Sequence, residues 1–130
     1  MQRIVVFGLA GLLAVAMLGP VDAAWAGGGD IVKSGSCSGS ATWKLKLSPE
    51  NGKIEVEFEV DSNRAGQTWR VKLFHDGDRF FNRLRTTKAP SGSFEVRKIT
   101  GNRAGDDLIK GRARNVKSGQ LCVGRATFAA

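Results

Sequence analysis

The chain has 130 residues, 17 of them Gly and none Tyr, a length that suits one small folded domain. Its 20 Lys and Arg against 12 Asp and Glu give a net charge of +8, which favours anionic partners. With one His, two Cys and no Cys-x-x-Cys, the sequence excludes the common four-ligand zinc motifs, and we expect no metal site and no cofactor.

The first 26 residues are typical of a secretory signal peptide. Residues 4–19 form an apolar run, and residues 24–26 (Ala-Trp-Ala) offer a small-residue cleavage site. A membrane anchor is the alternative, but a run of about 16 residues is shorter than the ~20 that a spanning helix needs. We therefore expect a secreted protein with no membrane span after signal removal. Cleavage after Ala26 removes Arg3 and Asp22, so the mature chain keeps the charge of +8.

A disulfide is expected in the mature chain. Residues 27–36 begin with Gly-Gly-Gly and are predicted to be a flexible N-terminal lead, so that the folded domain spans 37–130. Cys37 opens this domain and Cys122 lies near its end, and two thiols in an exported chain usually pair. Closing a loop of about 85 residues should stabilise the fold by about 4 kcal/mol. The alternative is two free thiols serving redox or metal chemistry.

From Thr42 onward the apolar residues alternate with polar ones, which is typical of half-buried strands. Lys44 and Lys46 alternate with apolar residues in the first strand, and Glu55, Glu57 and Glu59 do so in the second. If these strands pair through the turn at 49–52, Lys and Glu lie opposite one another and explain much of the charge.

The third and fourth strands flank Asp76-Gly77, a strong signal for a two-residue hairpin turn. The register that follows places Leu73 opposite Phe80, Val71 opposite Asn82 and Trp69 opposite Leu84. It predicts an inner face and an outer face that carries the cations and two phenylalanines. The predicted inner residues are Trp69, Val71, Leu73, Phe80 and Leu84, and the predicted outer residues are Arg70, Lys72, Phe74, Arg79, Phe81, Arg83 and Arg85.

Three further strands are expected at about 93–99, 108–116 and 120–128. Seven short strands joined by turns predict an all-β fold, an antiparallel β-sandwich of the immunoglobulin or fibronectin type III kind with one disulfide. The expected core residues are Trp43, Phe58, Trp69 and Phe94.

Four parts of the sequence carry a resemblance to known proteins. They are residues 37–46 (CSGSATWKLK), 60–64 (VDSNR) and 89–94 (APSGSF), and the late Cys122. Together they resemble uncharacterised small secreted proteins of actinobacteria with an immunoglobulin- or fibronectin-like β-domain. The resemblance spans nearly the whole mature chain. It implies a bacterial, secreted, single-domain protein and carries no catalytic residue, substrate or cofactor.

The residues that could support catalysis are few, and we expect no enzyme and no catalytic residue. His75 is the only side chain whose ordinary pKa is near neutrality, and its position beside a hairpin turn predicts an exposed histidine. Nothing in the pattern brings Ser91, Ser93 or Asp76 to it as nucleophile or base. Asp106-Asp107 lacks the dense oxygen spacing of a calcium loop.

The cations are the most informative surface residues. The candidate anion-binding set is Arg70, Lys72, Arg79, Arg83 and Arg85 on the hairpin, with a second basic set of Lys110, Arg112, Arg114 and Arg125 on the last strands. The first hypothesis is a secreted noncatalytic module that binds anionic cell-wall polymer, polysaccharide or released nucleic acid without base sequence specificity. Alternatively, the cations only confer solubility and deter edge pairing.

Two other classes of function remain open. A protein ligand or protease inhibitor could present Arg64-Ala65 or Lys88-Ala89-Pro90 as a rigid loop, since preorganisation lowers the cost of binding. A hydrolase would need a pocket that contains His75 or a close pair of carboxylates.

Overall fold

A computed structural model describes residues 29–129, which form an all-β domain of eight antiparallel strands. The strands are β1 (Ile31–Ser36), β2 (Thr42–Glu50), β3 (Lys53–Asp61), β4 (Thr68–His75), β5 (Asp78–Thr86), β6 (Ser93–Gly101), β7 (Asp107–Asn115) and β8 (Leu121–Phe128). All seven expected strands are confirmed as β2 to β8. The expected signal peptide, residues 1–26, lies outside the described residues.

The strands form two four-stranded sheets, ordered β1-β2-β3-β6 and β5-β4-β7-β8. We call them the first and the second sheet. If β1 is set aside, seven strands remain, and β2, β3 and β6 face the other four. This is the arrangement of an immunoglobulin-like sandwich. The predicted β-sandwich is therefore confirmed.

Residues 31–36 correct the prediction of a flexible lead. They form β1, which pairs with β2 from Ile31 opposite Leu47 to Ser36 opposite Thr42. The strand buries few side chains and has no clear apolar alternation, so its formation rests on backbone pairing to the exposed edge of β2. Gly35 lies against the ring of Trp43, where an added Cβ would be 2.8 Å from the ring.

The core lies between the two sheets and is built from the alternate residues of β2, β3, β4, β6, β7 and β8 that point inward. Trp69 and Phe58 are fully buried, and the ring centroids of Trp69 and Phe94 are 6.4 Å apart. Trp43 is partly buried and packs against this core. Three of the four expected core residues are thus confirmed as buried, and the fourth lies at the core's margin. The predicted Lys–Glu pairing is also confirmed, with Lys44 opposite Glu59 and Lys46 opposite Glu57.

Two glycines in the second sheet allow large rings of the first sheet to approach its backbone. Gly111 and Gly124 lie opposite each other in β7 and β8. An added Cβ would be 2.7 Å from the Phe58 ring at Gly111 and 2.6 Å from the Trp43 ring at Gly124. These positions set how closely the sheets pack.

One side of the sandwich is closed covalently. The disulfide Cys37–Cys122 joins the β1–β2 connection to β8, which confirms the predicted pairing. Next to it, the Ser38 amide donates to the Leu121 carbonyl at 2.8 Å and the Leu121 amide donates to Ser38 Oγ at 2.9 Å. On the opposite side, β5 and β6 form the unpaired edges of their sheets.

The β4–β5 hairpin departs from the predicted register. The turn at Asp76-Gly77 is confirmed, with φ of 49° and 89°. A β-bulge then shifts the pairing between Leu73 and Phe74, so that Leu73 faces Phe81 and the neighbouring Phe80 is the extra residue. Both phenylalanines pack against the core as a result. Strict alternation would have exposed one of them. Burying a phenylalanine side chain stabilises the folded state by about 1.5–3 kcal/mol.

The bulge reverses the faces of the rest of β5. Arg83 lies opposite Val71 and Arg85 opposite Trp69, which places both arginines on the inner side, while Leu84 lies outward and is 48% exposed. The predictions that Leu84 points inward and that Phe81 points outward are wrong. Arg83 and Arg85 do not share a face with Arg70 and Lys72.

Gly111→Ala is expected to lower the free energy of unfolding by about 1–3 kcal/mol, because the added methyl group would overlap the Phe58 ring. Gly101→Ala is the matched control, since nothing lies within 4 Å of its added Cβ. Urea unfolding of both variants measures the difference. Equal stabilities would contradict the close approach of the sheets at Gly111.

Candidate functional site

The outer side of the second sheet carries a continuous group of cations. In β4, β7 and β8 every second residue is buried, so the residues between them point to solvent. We call this outward-pointing group the basic face, and it consists of the exposed Arg70, Arg114 and Arg125 and the half-buried Lys72, Lys110 and Arg112. It combines two members of the hairpin set with all four members of the second basic set.

Strand pairing places these cations directly opposite one another. In the β4–β7 pair Arg70 faces Arg114 and Lys72 faces Arg112, and in the β7–β8 pair Lys110 faces Arg125. Like charges in directly opposite positions destabilise a sheet. Folding therefore creates repulsion that the sequence pattern does not reveal.

The two sheets differ strongly in charge. Strands β4, β5, β7 and β8 contain nine Lys and Arg but only Asp78 and Asp107, each at the first position of its strand. The strands of the first sheet contain six Lys and Arg and six Asp and Glu. The excess positive charge of the strands thus lies in the second sheet.

Few protein groups neutralise the basic face. Arg70 donates one hydrogen bond to Asn82 Oδ1 at 3.2 Å, and Lys110 Nζ lies 4.6 Å from the centroid of the Phe74 ring. The ion pairs found within residues 29–129 include none of the six cations. Most of their N–H groups are therefore available to an anion.

The remaining cations of the predicted hairpin set lie at the unpaired edge of the sandwich. A groove of about 420 Å³ runs between β5 and β6. It is lined by Arg79, Phe80, Phe81, Asn82, Arg83, Arg85, Arg97 and Lys98. Arg85 lies 5.3 Å from the centroid of Phe81, and Arg97 pairs with Glu55. The five hairpin cations thus divide between the basic face and this groove.

His75 is buried, and the prediction of an exposed turn histidine is wrong. Only 1% of it is exposed, and its Nε2 lies 2.6 Å from Asp107 Oδ1 while its Nδ1 lies 2.9 Å from Thr100 Oγ1. The Arg103 amide donates to the same Asp107 oxygen at 3.0 Å. The contact with Thr100 joins the second sheet to the first.

The β6–β7 connection explains this burial. It folds over the β4–β5 turn, where Arg103 Nη1 donates to the His75 carbonyl at 3.3 Å. The start of β7 then binds the same turn, because the Asp76 amide donates to the Leu108 carbonyl and the Leu108 amide donates to Asp76 Oδ1, both at 2.8 Å. The Arg103 side chain completes the cover, with its Nη1 lying 3.1 Å from Asp78 Oδ2. A sequence pattern that treats the hairpin alone cannot detect a connection that folds back from residues 102–106.

The hydroxyl groups considered for catalysis lie elsewhere. Ser91 Oγ and Ser93 Oγ form a hydrogen bond with each other at 2.7 Å. The side-chain partners of the histidine ring nitrogens are Thr100, Asp107 and Asp76. The structure therefore brings neither serine to His75.

The two loops considered for protease binding are tied to each other. Thr87 Oγ1 donates to the Arg64 carbonyl at 2.6 Å, and Ser62 Oγ donates to it at 3.1 Å. The Lys88 carbonyl accepts from the Gly92 amide at 2.8 Å. Both carbonyls that a protease would have to polarise are thus already hydrogen-bonded within the domain.

Comparisons of the chain with protein-family models, curated proteins and solved structures found no match. Within residues 29–129 no helix is long and apolar enough to cross a membrane.

Asp107→Asn is expected to lower the free energy of unfolding by about 2 kcal/mol. The amide would weaken the bond with His75 and place N–H donors where the second carboxylate oxygen has no partner. Asp106→Asn removes the same charge from an exposed neighbour and should change stability by less than about 0.5 kcal/mol. Denaturant unfolding measures both, and equal effects would contradict a stabilising His75–Asp107 contact.

Proposed function

We propose that the protein is a secreted, noncatalytic module that binds an anionic extracellular polymer, such as a wall polymer or acidic polysaccharide, through the basic face. The observation that carries the proposal is the row of like-charged pairs across β4, β7 and β8, with no Asp or Glu at the outward-pointing positions of these three described strands. A bound polyanion would lie over these cations and replace their mutual repulsion by attraction.

The stability argument supports a binding role over a purely solubilising one. Solubility requires net charge but not opposite placement of like charges, which costs about 0.2–1 kcal/mol for each pair. The first sheet shows the usual alternative, because Lys44 there faces Glu59. The second sheet lacks this compensation at Lys72 and Arg112.

The shape of the face favours a polymer over a small molecule. Alternate residues on one strand are about 6.7 Å apart, and neighbouring strands are about 4.8 Å apart, so the six cations form an open two-dimensional array. An array of this kind contacts several charges of one chain at once, and each contact multiplies the apparent affinity. Exposed Arg and Lys also bind sulfate, phosphate and carboxylate groups without demanding one sequence of monomers.

Two features support an extracellular location. The Cys37–Cys122 disulfide in a small β-domain is compatible with an oxidising compartment. Residues 1–26 have the sequence of a secretory signal, and the resemblance to small secreted actinobacterial proteins agrees with it.

Dextran sulfate is a suitable probe, with neutral dextran as its matched control. Replacing Arg70, Lys72, Arg112 and Arg114 by Gln should weaken binding of the mature domain to dextran sulfate by about tenfold or more. The control variant replaces Lys33, Lys44, Lys46 and Lys53 by Gln, which removes the same charge from the first sheet. Titration by isothermal calorimetry at about 50 mM and about 200 mM salt measures both the affinities and their salt dependence.

Equal weakening in the two variants would show that net charge alone drives binding and would remove the basic face from the proposal. Binding to neutral dextran, or an affinity that does not fall with salt, would contradict an electrostatic site. Tighter binding to double-stranded DNA than to dextran sulfate would reassign the face to released nucleic acid.

A stability measurement separates a binding role from a structural one. Lys72→Gln should raise the free energy of unfolding by about 0.5 kcal/mol, because it relieves the repulsion from Arg112. Lys44→Gln, which removes the exposed ion pair with Glu59, should leave it unchanged or slightly lower. Thermal unfolding at low salt measures both variants, and a loss of stability in Lys72→Gln would mean that the lysine supports the fold.

A further inference from the structure

Three potential metal ligands meet beneath the β6–β7 connection. His75 ends β4, Asp76 opens the following turn and Asp107 begins β7. One ligand atom from each lies within 4.8 Å of the other two. Their proximity comes from the pairing of β4 with β7 and from the connection that folds over the hairpin turn.

Asp107 contains a buried atom that lacks a partner. The residue is 0% exposed, and its Oδ1 is engaged by His75 and by the Arg103 amide. Its Oδ2 is buried and has no hydrogen-bond partner among residues 29–129. An unsatisfied carboxylate oxygen at such a position costs free energy and calls for a bound water or ion.

We propose that His75, Asp76 and Asp107 bind a divalent transition metal ion of the Zn²⁺ type. One imidazole nitrogen and two carboxylates are a ligand set that Zn²⁺ accepts, with a fourth position left for water. Ca²⁺ and Mg²⁺ fit less well, because they prefer cages of oxygen ligands. Both Cys residues are in the disulfide, so the imidazole is the softest ligand that the described chain offers.

Thr100 has the arrangement expected of a group that orients a metal-binding histidine. Its hydroxyl lies 2.9 Å from His75 Nδ1 and leaves Nε2 directed at Asp107. Metal-binding histidines usually hold their second nitrogen by such a hydrogen bond. A hydroxyl can donate or accept, so Thr100 suits either tautomer of the ring.

Metal binding requires one proton to move. The 2.6 Å between Nε2 and Asp107 Oδ1 fits a hydrogen bond in which Nε2 donates, since an ionised carboxylate can only accept. When the ion takes the Nε2 lone pair, a neutral ring keeps its single proton at Nδ1, where it donates to Thr100 Oγ1. Carboxylate ligands bind such an ion as anions.

Arg103 would have to release Asp76 when the ion binds. Its guanidinium lies 3.6 Å from Asp76 Oδ2 and 3.1 Å from Asp78 Oδ2, and 45% of the side chain is exposed. Its ion pair with Asp78 can hold the arginine after the contact with Asp76 is lost. This site uses none of the six cations of the basic face, so it does not depend on the proposed polymer binding.

Two aspartates provide a matched pair of variants. Asp76→Asn removes a ligand but keeps an oxygen that can accept from the Leu108 amide, so the turn should still form. Asp106→Asn removes the same charge from an exposed residue beside Asp107 that is neither one of the three ligands nor in an ion pair with Arg103. We therefore expect Asp76→Asn to weaken Zn²⁺ binding by about tenfold or more, and Asp106→Asn by no more than about twofold.

The experiment uses the oxidised, tag-free mature chain and Zn²⁺ alone, measured by isothermal titration calorimetry. His75 is the only histidine, so the ¹⁵N resonances of one imidazole report on the site directly. The expected result is one ion per chain, with a large shift at Nε2. The absence of binding up to about 100 µM, an ion that leaves the imidazole resonances unchanged, or equal weakening in the two variants would each overturn the proposal.

Discussion

The pairing of β4 with β7 is the constraint on which both candidate sites depend. It places Lys72 opposite Arg112 and Arg70 opposite Arg114, and it brings the end of β4, where His75 lies, beside the start of β7. These strands are separated by two others in the chain, since β5 and β6 lie between them. They are the two central strands of the second sheet, where β4 also pairs with β5 and β7 also pairs with β8.

The two sides of the sandwich are closed in different ways, and the difference determines which surfaces are available to ligands. The disulfide and the hydrogen bonds around Ser38 close the side of β1 and β8. The side of β5 and β6 is bordered by arginines and a lysine that leave an open groove between the sheets. Cations at unpaired edges also discourage strands of another molecule from adding there, which protects the open side without a covalent link.

Much of the fold could be predicted because local signals agree with it. The period-two alternation in β2 and β3 and the Asp76-Gly77 turn each identify structure from a few neighbouring residues. The bulge at Phe80 could not be predicted from such signals, since it forms to bury two adjacent phenylalanines against a core supplied by other strands. The strand β1 was missed for a related reason, because its partner, the edge of β2, is formed by the fold and its own sequence has no apolar alternation.

The candidate sites show the same division between local and long-range information. The sequence by itself determined the alternation that puts cations on one side of β4 and of β7, the positive net charge and the two cysteines that pair. Only the tertiary structure decided that the cations of the two strands lie on one face and that Arg83 and Arg85 do not belong to that face. It also decided that His75 is buried against Asp107 instead of exposed at a turn. The physical reason is that the direction of a side chain follows from the local backbone geometry. Which strands that are distant in the chain become neighbours depends instead on which packing of the two sheets buries the most apolar surface.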